Sequence, residues 1–139
     1  MDGITLTPLL QIHNPKGDIY HVMKKNDLGY HGFGEAYFSS IYKGQIKNWK
    51  KHTKMTLNLI VPMGEIKFVV YNDNSKDFFS VKLSKKNYQR LTVKPGLWLE
   101  NTTQPDWLGS PPGLYCKRFC LLPMLTNSAN ICASRTHWL

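Results

Sequence analysis

Between about residue 35 and residue 99 the chain alternates apolar and polar side chains, and no long stretch keeps the roughly 3.6-residue period of a helix. Successive side chains of a strand point to opposite faces, so this pattern is that of strands half-buried against a core. In Thr56-Leu57-Asn58-Leu59-Ile60-Val61, the residues Leu57, Leu59 and Val61 share one face. In Glu65-Ile66-Lys67-Phe68-Val69-Val70-Tyr71, Ile66, Phe68 and Val70 do the same. Pro62-Met63-Gly64 joins the two runs, and its glycine can take a positive φ, so a hairpin is expected there. Residues 35–42, 79–83 and 88–94 read as further strands, the last with Leu91 and Val93 inward. Ser84-Lys85-Lys86-Asn87 reads as one helical turn capped by Ser84. Pro95-Gly96 turns the chain into another strand at Leu97-Trp98-Leu99. Many short strands split by turns predict an all-β sandwich or barrel.

The two ends differ from this middle. Residues 9–42 are mixed, with turns at Gly17-Asp18 and Asn26-Asp27-Leu28-Gly29 and a flexible Gly32-Phe33-Gly34 before the strand at residue 35. Residues 100–139 show no clear alternation. They hold all three cysteines (Cys116, Cys120, Cys132), four of the eight prolines and only three of the eighteen basic residues. Ser110-Pro111-Pro112-Gly113 breaks any element there. The division expected is therefore a β-barrel domain over residues 1–99 and an atypical segment over 100–139. That segment is either an irregular C-terminal extension or not the domain's original C-terminus, as after a frameshift.

A length of 139 residues with 42% hydrophobic side chains fits one domain with a core of its own. A formal charge of +9 favours anionic partners: nucleic acid, acidic lipid or a phosphorylated small molecule. No run reaches the roughly 18 apolar residues that would span a bilayer. Leu9-Leu10-Gln11-Ile12 is too short for a signal-peptide core and no basic segment precedes it. A cytoplasmic location is expected, and three cysteines without paired metal-ligand spacing suit a reducing compartment.

The stretch Gly44-Gln45-Ile46-Lys47-Asn48-Trp49-Lys50-Lys51-His52-Thr53-Lys54-Met55, continuing to Gly64, resembles the first motif of the sugar-nucleotide cupins. These are the family of dTDP-4-dehydrorhamnose 3,5-epimerase and the related 3,4-ketoisomerases. Lys16-Gly17-Asp18-Ile19-Tyr20-His21 is similar to the family's early Arg-Gly-x-Phe-x-Glu segment. Glu35-Ala36-Tyr37-Phe38-Ser39-Ser40 resembles its Gln-x-Asn-x-Ser strand, and residues 84–96 resemble its later loop, strand and Pro-x-Gly turn. The match covers roughly residues 14–99. The resemblance implies a cupin-type jelly-roll barrel, usually a homodimer, acting without metal or other cofactor on a dTDP-linked 4-keto-6-deoxy sugar. In that chemistry a base removes a proton next to the keto group, and a tyrosine or another acid returns one.

The chain departs from the family pattern at several positions. Lys47-Asn48 stands for Arg-Gly, and Lys50 stands where the ketoisomerases carry the first His of a His-x-His pair. Leu57 stands where the epimerases carry a lysine, and Leu99 where they carry a histidine. The resemblance therefore offers His52 as base and Tyr37 as acid. Lys47, Lys50, Lys51 and Lys54 are clustered ammonium groups, which attract phosphate, and Lys47 and Lys50, with Lys16, are the candidate substrate contacts. Glu35 and Asn58 are expected to face the barrel interior and hydrogen-bond a sugar. Trp49 and Trp98 either stack on a base or pack as core. His13, His21, His31 and His137 form no metal spacing. Three functions compete: a sugar-nucleotide epimerase or isomerase of surface-polysaccharide synthesis, a non-catalytic cupin that binds a nucleotide sugar or another anion, and single-strand nucleic-acid binding through residues 43–54. The third is disfavoured because those lysines cluster at one turn rather than along a groove.

Overall fold

The alternation written into the sequence becomes strands almost wherever it occurs. The computed structural model describes residues 1–103 and the strand Ser128–Thr136. Within them run β1 (Ile4–Pro8), β2 (Gln11–Ile12), β3 (Ile19–Tyr20), β4 (Glu35–Tyr42), β5 (Ile46–Lys51) and β6 (Thr56–Met63). They are followed by β7 (Glu65–Tyr71), β8 (Phe78–Ser84), β9 (Gln89–Val93), β10 (Trp98–Thr102) and β11 (Ser128–Thr136). No helix forms among the described residues, so none is long and apolar enough to cross a membrane.

Two antiparallel sheets make the barrel. One has the order β1-β9-β6-β11-β4 and the other β5-β10-β7-β8, while β2 and β3 form a separate short ribbon. The all-β jelly-roll architecture expected from the sequence is present. Leu57, Leu59 and Val61 of β6 pack in one buried cluster with Ile66, Phe68 and Val70 of β7, joined by Leu83, Leu91 and Val93. Those are the faces that period two assigns to the core.

The connection at Gly64 differs from expectation. Gly64 takes φ 78°, as a tight turn requires, but β6 and β7 do not pair as a hairpin. β6 bonds to β9 and β11, whereas β7 bonds to β8 and β10. The turn carries the chain from one sheet to the other. Alternation identifies which face of a strand is buried, not which strand lies beside it, and two facing sheets bury the same residues as a hairpin would. The Ser84–Asn87 connection likewise passes between the sheets. It is a turn and not a helical one, closed by the Asn87 N–H on Ser84 O (3.1 Å) and on Ser84 Oγ (3.3 Å). Ser84 is thus the capping side chain in a different geometry.

Residues 128–136 provide a strand that the sequence pattern does not announce. β11 lies between β4 and β6, pairing Ala133 with both Tyr37 and Leu59. Its residues are mostly small or polar, with little β propensity of their own, and tertiary pairing overrides that. Cys132 falls on this strand; Ser110-Pro111-Pro112-Gly113, Cys116, Cys120 and His137 lie outside the described residues.

The segment of residues 21–34 is fixed against the outer face of β6 and β9. Arg90, fully buried, donates to Val22 O (2.8 Å), Leu28 O (2.6 Å) and Asp27 Oδ2 (3.0 Å). Gly29, at φ 89°, lies so close that a Cβ there would sit 2.7 Å from Thr92 Oγ1. Only glycine combines that conformation with that approach.

Candidate active site

β5 has one more residue than its partner strand allows. Lys50 pairs with Leu99 and Lys47 with Asn101, so Asn48 and Trp49 together oppose Glu100. Such a bulge shifts the alternation by one residue. Lys47 and Lys50 are three apart and would otherwise face opposite ways; the bulge turns both, and then His52, toward the barrel interior. Trp49 and Lys51 face outward. Trp49 packs edge-on against Tyr71 and Phe78, and Lys51 pairs with Asp73 (2.7 Å) beneath the Trp98 ring. Trp98 donates Nε1–H to the same carboxylate (3.2 Å), so both tryptophans serve packing outside the cavity.

The interior side opens into a cavity of about 90 Å³. Its polar wall is Tyr37 and Ser39 from β4, Lys47, Asn48 and Lys50 from β5, His52 just after β5, and Asn101 from β10. Its apolar wall is Leu57, Leu59, Phe68 and Leu99. Four expected site residues therefore meet in one place: His52, Tyr37, Lys47 and Lys50. His52 follows β5 rather than opening β6, and its carbonyl accepts the Gly96 N–H (2.7 Å), tying it to the Pro95-Gly96 turn. Tyr37 and Ser39 share one face of β4 with Glu35 and with the buried Ile41.

Lys47 donates its ammonium to Ser39 Oγ (2.5 Å). Its pKa is lowered, first by removal from water and then by repulsion from Lys50. Leu57 and Leu99, the positions where the family pattern has a lysine and a histidine, both line the cavity and leave that wall apolar.

The remaining expected contacts lie elsewhere. Asn58 is buried on the opposite face of β6 from Leu57 and Leu59. It donates to Gly29 O (3.1 Å) and accepts from Thr92 Oγ1 (2.7 Å), so it holds the 21–34 segment instead of facing the interior. Its place in the strand decides this, being one residue out of phase with the inward set. Lys16 is exposed in the turn between β2 and β3, where its N–H bonds Asn14 Oδ1 (2.8 Å), and it does not line the cavity. Glu35 opens β4 on the cavity-facing side without lining the cavity itself. Ser39 and Asn101 were not anticipated. Ser39 could have been found by continuing the Glu35, Tyr37 alternation, but Asn101 lies where the sequence pattern had stopped.

No protein-family model matches the sequence, and no curated protein matches it. Solved structures do. A dTDP sugar isomerase from Desulfovibrio desulfuricans G20 superposes with a TM-score of 0.77 at 25% identity, covering 96% of this chain and 76% of that one. This chain has the cupin fold of the sugar-nucleotide isomerases and epimerases. A variant of the 3,4-ketoisomerase from Thermoanaerobacterium thermosaccharolyticum, in complex with TDP-4-keto-6-deoxyglucose, matches with a TM-score of 0.72 at 14% identity, over 100% of this chain and 83% of that one. The dTDP-4-dehydrorhamnose 3,5-epimerase from Sulfolobus tokodaii matches with a TM-score of 0.74 at 16% identity, over 99% of this chain and 72% of that one.

Proposed function

We propose that the protein is an epimerase or isomerase acting on a dTDP-linked 4-keto-6-deoxy sugar, in deoxysugar synthesis for a surface polysaccharide. The observation that carries this reading is the meeting of His52, Tyr37, Lys47 and Lys50 in one interior cavity of a cupin barrel. His52 removes the proton next to the keto group, and the C–H electron pair becomes an enolate. An imidazole suits this step because its proton affinity lies near working pH. Tyr37 returns a proton to carbon from the β4 side. Lys50 and Lys47 supply positive charge, which attracts the anionic nucleotide sugar and stabilises the enolate beside an apolar wall. No metal or other cofactor enters these steps. The reading includes a cytoplasmic location and a homodimer.

Incubation with dTDP-4-keto-6-deoxyglucose in heavy water tests it. Deuterium should enter the carbon next to the keto group, and His52→Asn should slow that entry by about 100-fold. Folded protein that binds dTDP yet incorporates no deuterium would leave the non-catalytic binding cupin as the function, a reading that the leucines at positions 57 and 99 favour.

A further inference from the structure

Lys47 stands where the family pattern has an arginine, and the two side chains differ in one chemical ability. A guanidinium is charged at every working pH and does not act as a nucleophile. A lysine that loses a proton presents a primary amine, which adds to a carbonyl carbon and forms an imine. The surroundings of Lys47 are those of an amine held for that use.

The bulge in β5 turns Lys47 into the cavity, where the Ser39 hydroxyl oxygen accepts one of its N–H groups at 2.5 Å and fixes the place of Nζ. Among the described residues no carboxylate lines the cavity, so no ion pair there holds Lys47 as an ammonium. Removal from water and repulsion from Lys50 both work against its charged form. Lys50 is itself exposed, so water solvates its ammonium and leaves it available to an anionic diphosphate. A withdrawn lysine beside a second cation is one arrangement by which proteins ready an amine for a carbonyl. His52 and Tyr37 face the same cavity with the proton-carrying groups that imine formation needs. Leu57, Leu59, Phe68 and Leu99 form the other wall, and hydrocarbon beside the reacting carbon favours loss of water from it.

We propose that Lys47 captures the keto carbon of the sugar as a protonated imine in this cavity, so that the site works by covalent catalysis on a carbonyl substrate. The substrate is that of the function proposed above, on which this capture rests. The imine keeps a positive charge where Lys47 brings one, but puts it on the atom bonded to the reacting carbon instead of beside it. A protonated imine takes up the electron pair of the neighbouring C–H bond more readily than a ketone does. The pair then ends in a neutral enamine, which no further positive charge has to stabilise.

The steps balance. Lys47 first passes one proton to His52. Its nitrogen pair bonds the keto carbon, and a proton moves from nitrogen to the former keto oxygen, giving a carbinolamine. The His52 imidazolium returns its proton to that hydroxyl, the C–O bond breaks, and one water leaves. An ammonium and a ketone have become a protonated imine and water, with one positive charge on each side. His52, neutral again, takes the proton from the neighbouring carbon, and that C–H pair becomes the C=C bond of the enamine. Tyr37 returns a proton to carbon, and water adds back to release the sugar and the amine. His52 and Tyr37 re-equilibrate with solvent, the water added equals the water lost, and nothing is oxidised or reduced.

Sodium cyanoborohydride, which reduces a protonated imine faster than a ketone, tests the capture on the whole chain with dTDP-4-keto-6-deoxyglucose. Peptide mass spectrometry of the wild type should find the reduced sugar adduct on Lys47 in at least about tenfold excess over any other lysine. Lys47→Arg should lose the adduct, and Lys50→Arg, which keeps the neighbouring charge, should retain it. Thermal melting checks that the variants are folded, and the wild-type map is decisive if they are not. A heavy-isotope label in the keto oxygen should also be lost to water at least about tenfold faster with the wild type than with Lys47→Arg. No adduct on Lys47, or adducts spread evenly over the lysines, would overturn the capture. Deuterium entry next to the keto group without an adduct on Lys47 removes the capture alone. An adduct on Lys47 without deuterium entry keeps the capture and removes the epimerase or isomerase reading; neither signal removes both.

Discussion

One buried polar residue shows how a single side chain holds this molecule in shape. Arg90 is fully buried and meets two backbone carbonyls and Asp27, all from residues 22–28. Replacing it by methionine keeps the bulk but leaves two carbonyls without their donor, and should cost about 3 kcal/mol, read as a lowered midpoint in urea. The aspartates give a pH dependence. Asp18 is held below the ordinary carboxyl value by Lys85 first and the Asn14 N–H next, Asp27 by the Lys24 N–H and then Arg90, and Asp73 by Lys51 and then Trp98. The unfolded chain therefore takes up these protons before the folded one. Their contribution is complete above the ordinary carboxyl value and is lost as pH falls through the folded values. Tm should be flat above about pH 5 and decline below about pH 4, with a shallower decline in Asp18→Asn. An unchanged slope in Asp18→Asn, Asp27→Asn and Asp73→Asn alike would show that other groups drive acid unfolding. The Lys85–Asp18 and Lys51–Asp73 pairs both reach solvent, so added salt should shrink their share of the effect. None of the three partnerships can be read from sequence spacing, because Lys85 lies 67 residues from Asp18 and Arg90 63 from Asp27.

At the scale of the element, the bulge in β5 decides which residues form the site. The run Ile46-Lys47-Asn48-Trp49-Lys50-Lys51 has no alternation because the bulge interrupts it, so no strand was legible there. The motif resemblance marked the right residues, but only the pairing with β10 shows that Lys47, Lys50 and His52 share a side. Deleting Asn48 removes the extra residue and puts the two lysines on opposite faces. The deletion variant should stay folded by circular dichroism and lose at least about tenfold in dTDP affinity by calorimetry, since a buried, charge-assisted contact is lost. Wild-type affinity in a folded deletion variant would show that β5 does not present the ligand-binding charge. β11 makes the complementary point. Its small residues carry no periodic signal, yet β4, which brings Tyr37 and Ser39, has β11 as its neighbour in the sheet.

The whole molecule carries its charge unevenly. Residues 10–42 hold Lys16, Lys24 and Lys25 against Asp18, Asp27 and Glu35, so the surplus of +9 lies elsewhere in the chain. The same residues expose Leu28 (72%), Phe33 (75%), Phe38 (71%) and Tyr42 (67%). A second copy of a strongly basic chain can approach most readily where charge balances and apolar surface is to be covered. The proposed homodimer should use this side. Light scattering after size-exclusion chromatography should give a dimer for the wild type and a monomer for Phe38→Glu with Tyr42→Glu. A monomeric wild type would end the dimer reading.

The sequence by itself marked strands over residues 35–42, 56–61, 65–71, 79–83 and 88–94, the start of another at 97–99, and their inward faces, because side-chain alternation is a local consequence of backbone geometry. It also marked His52, Tyr37, Lys47 and Lys50 through the motif. The tertiary structure alone decided that the turn at Gly64 joins two sheets, that residues 128–136 insert between β4 and β6, and that Asn58 holds a loop instead of a ligand. Each of these depends on which strand lies beside which, and neighbours are chosen by contacts between residues far apart in the chain.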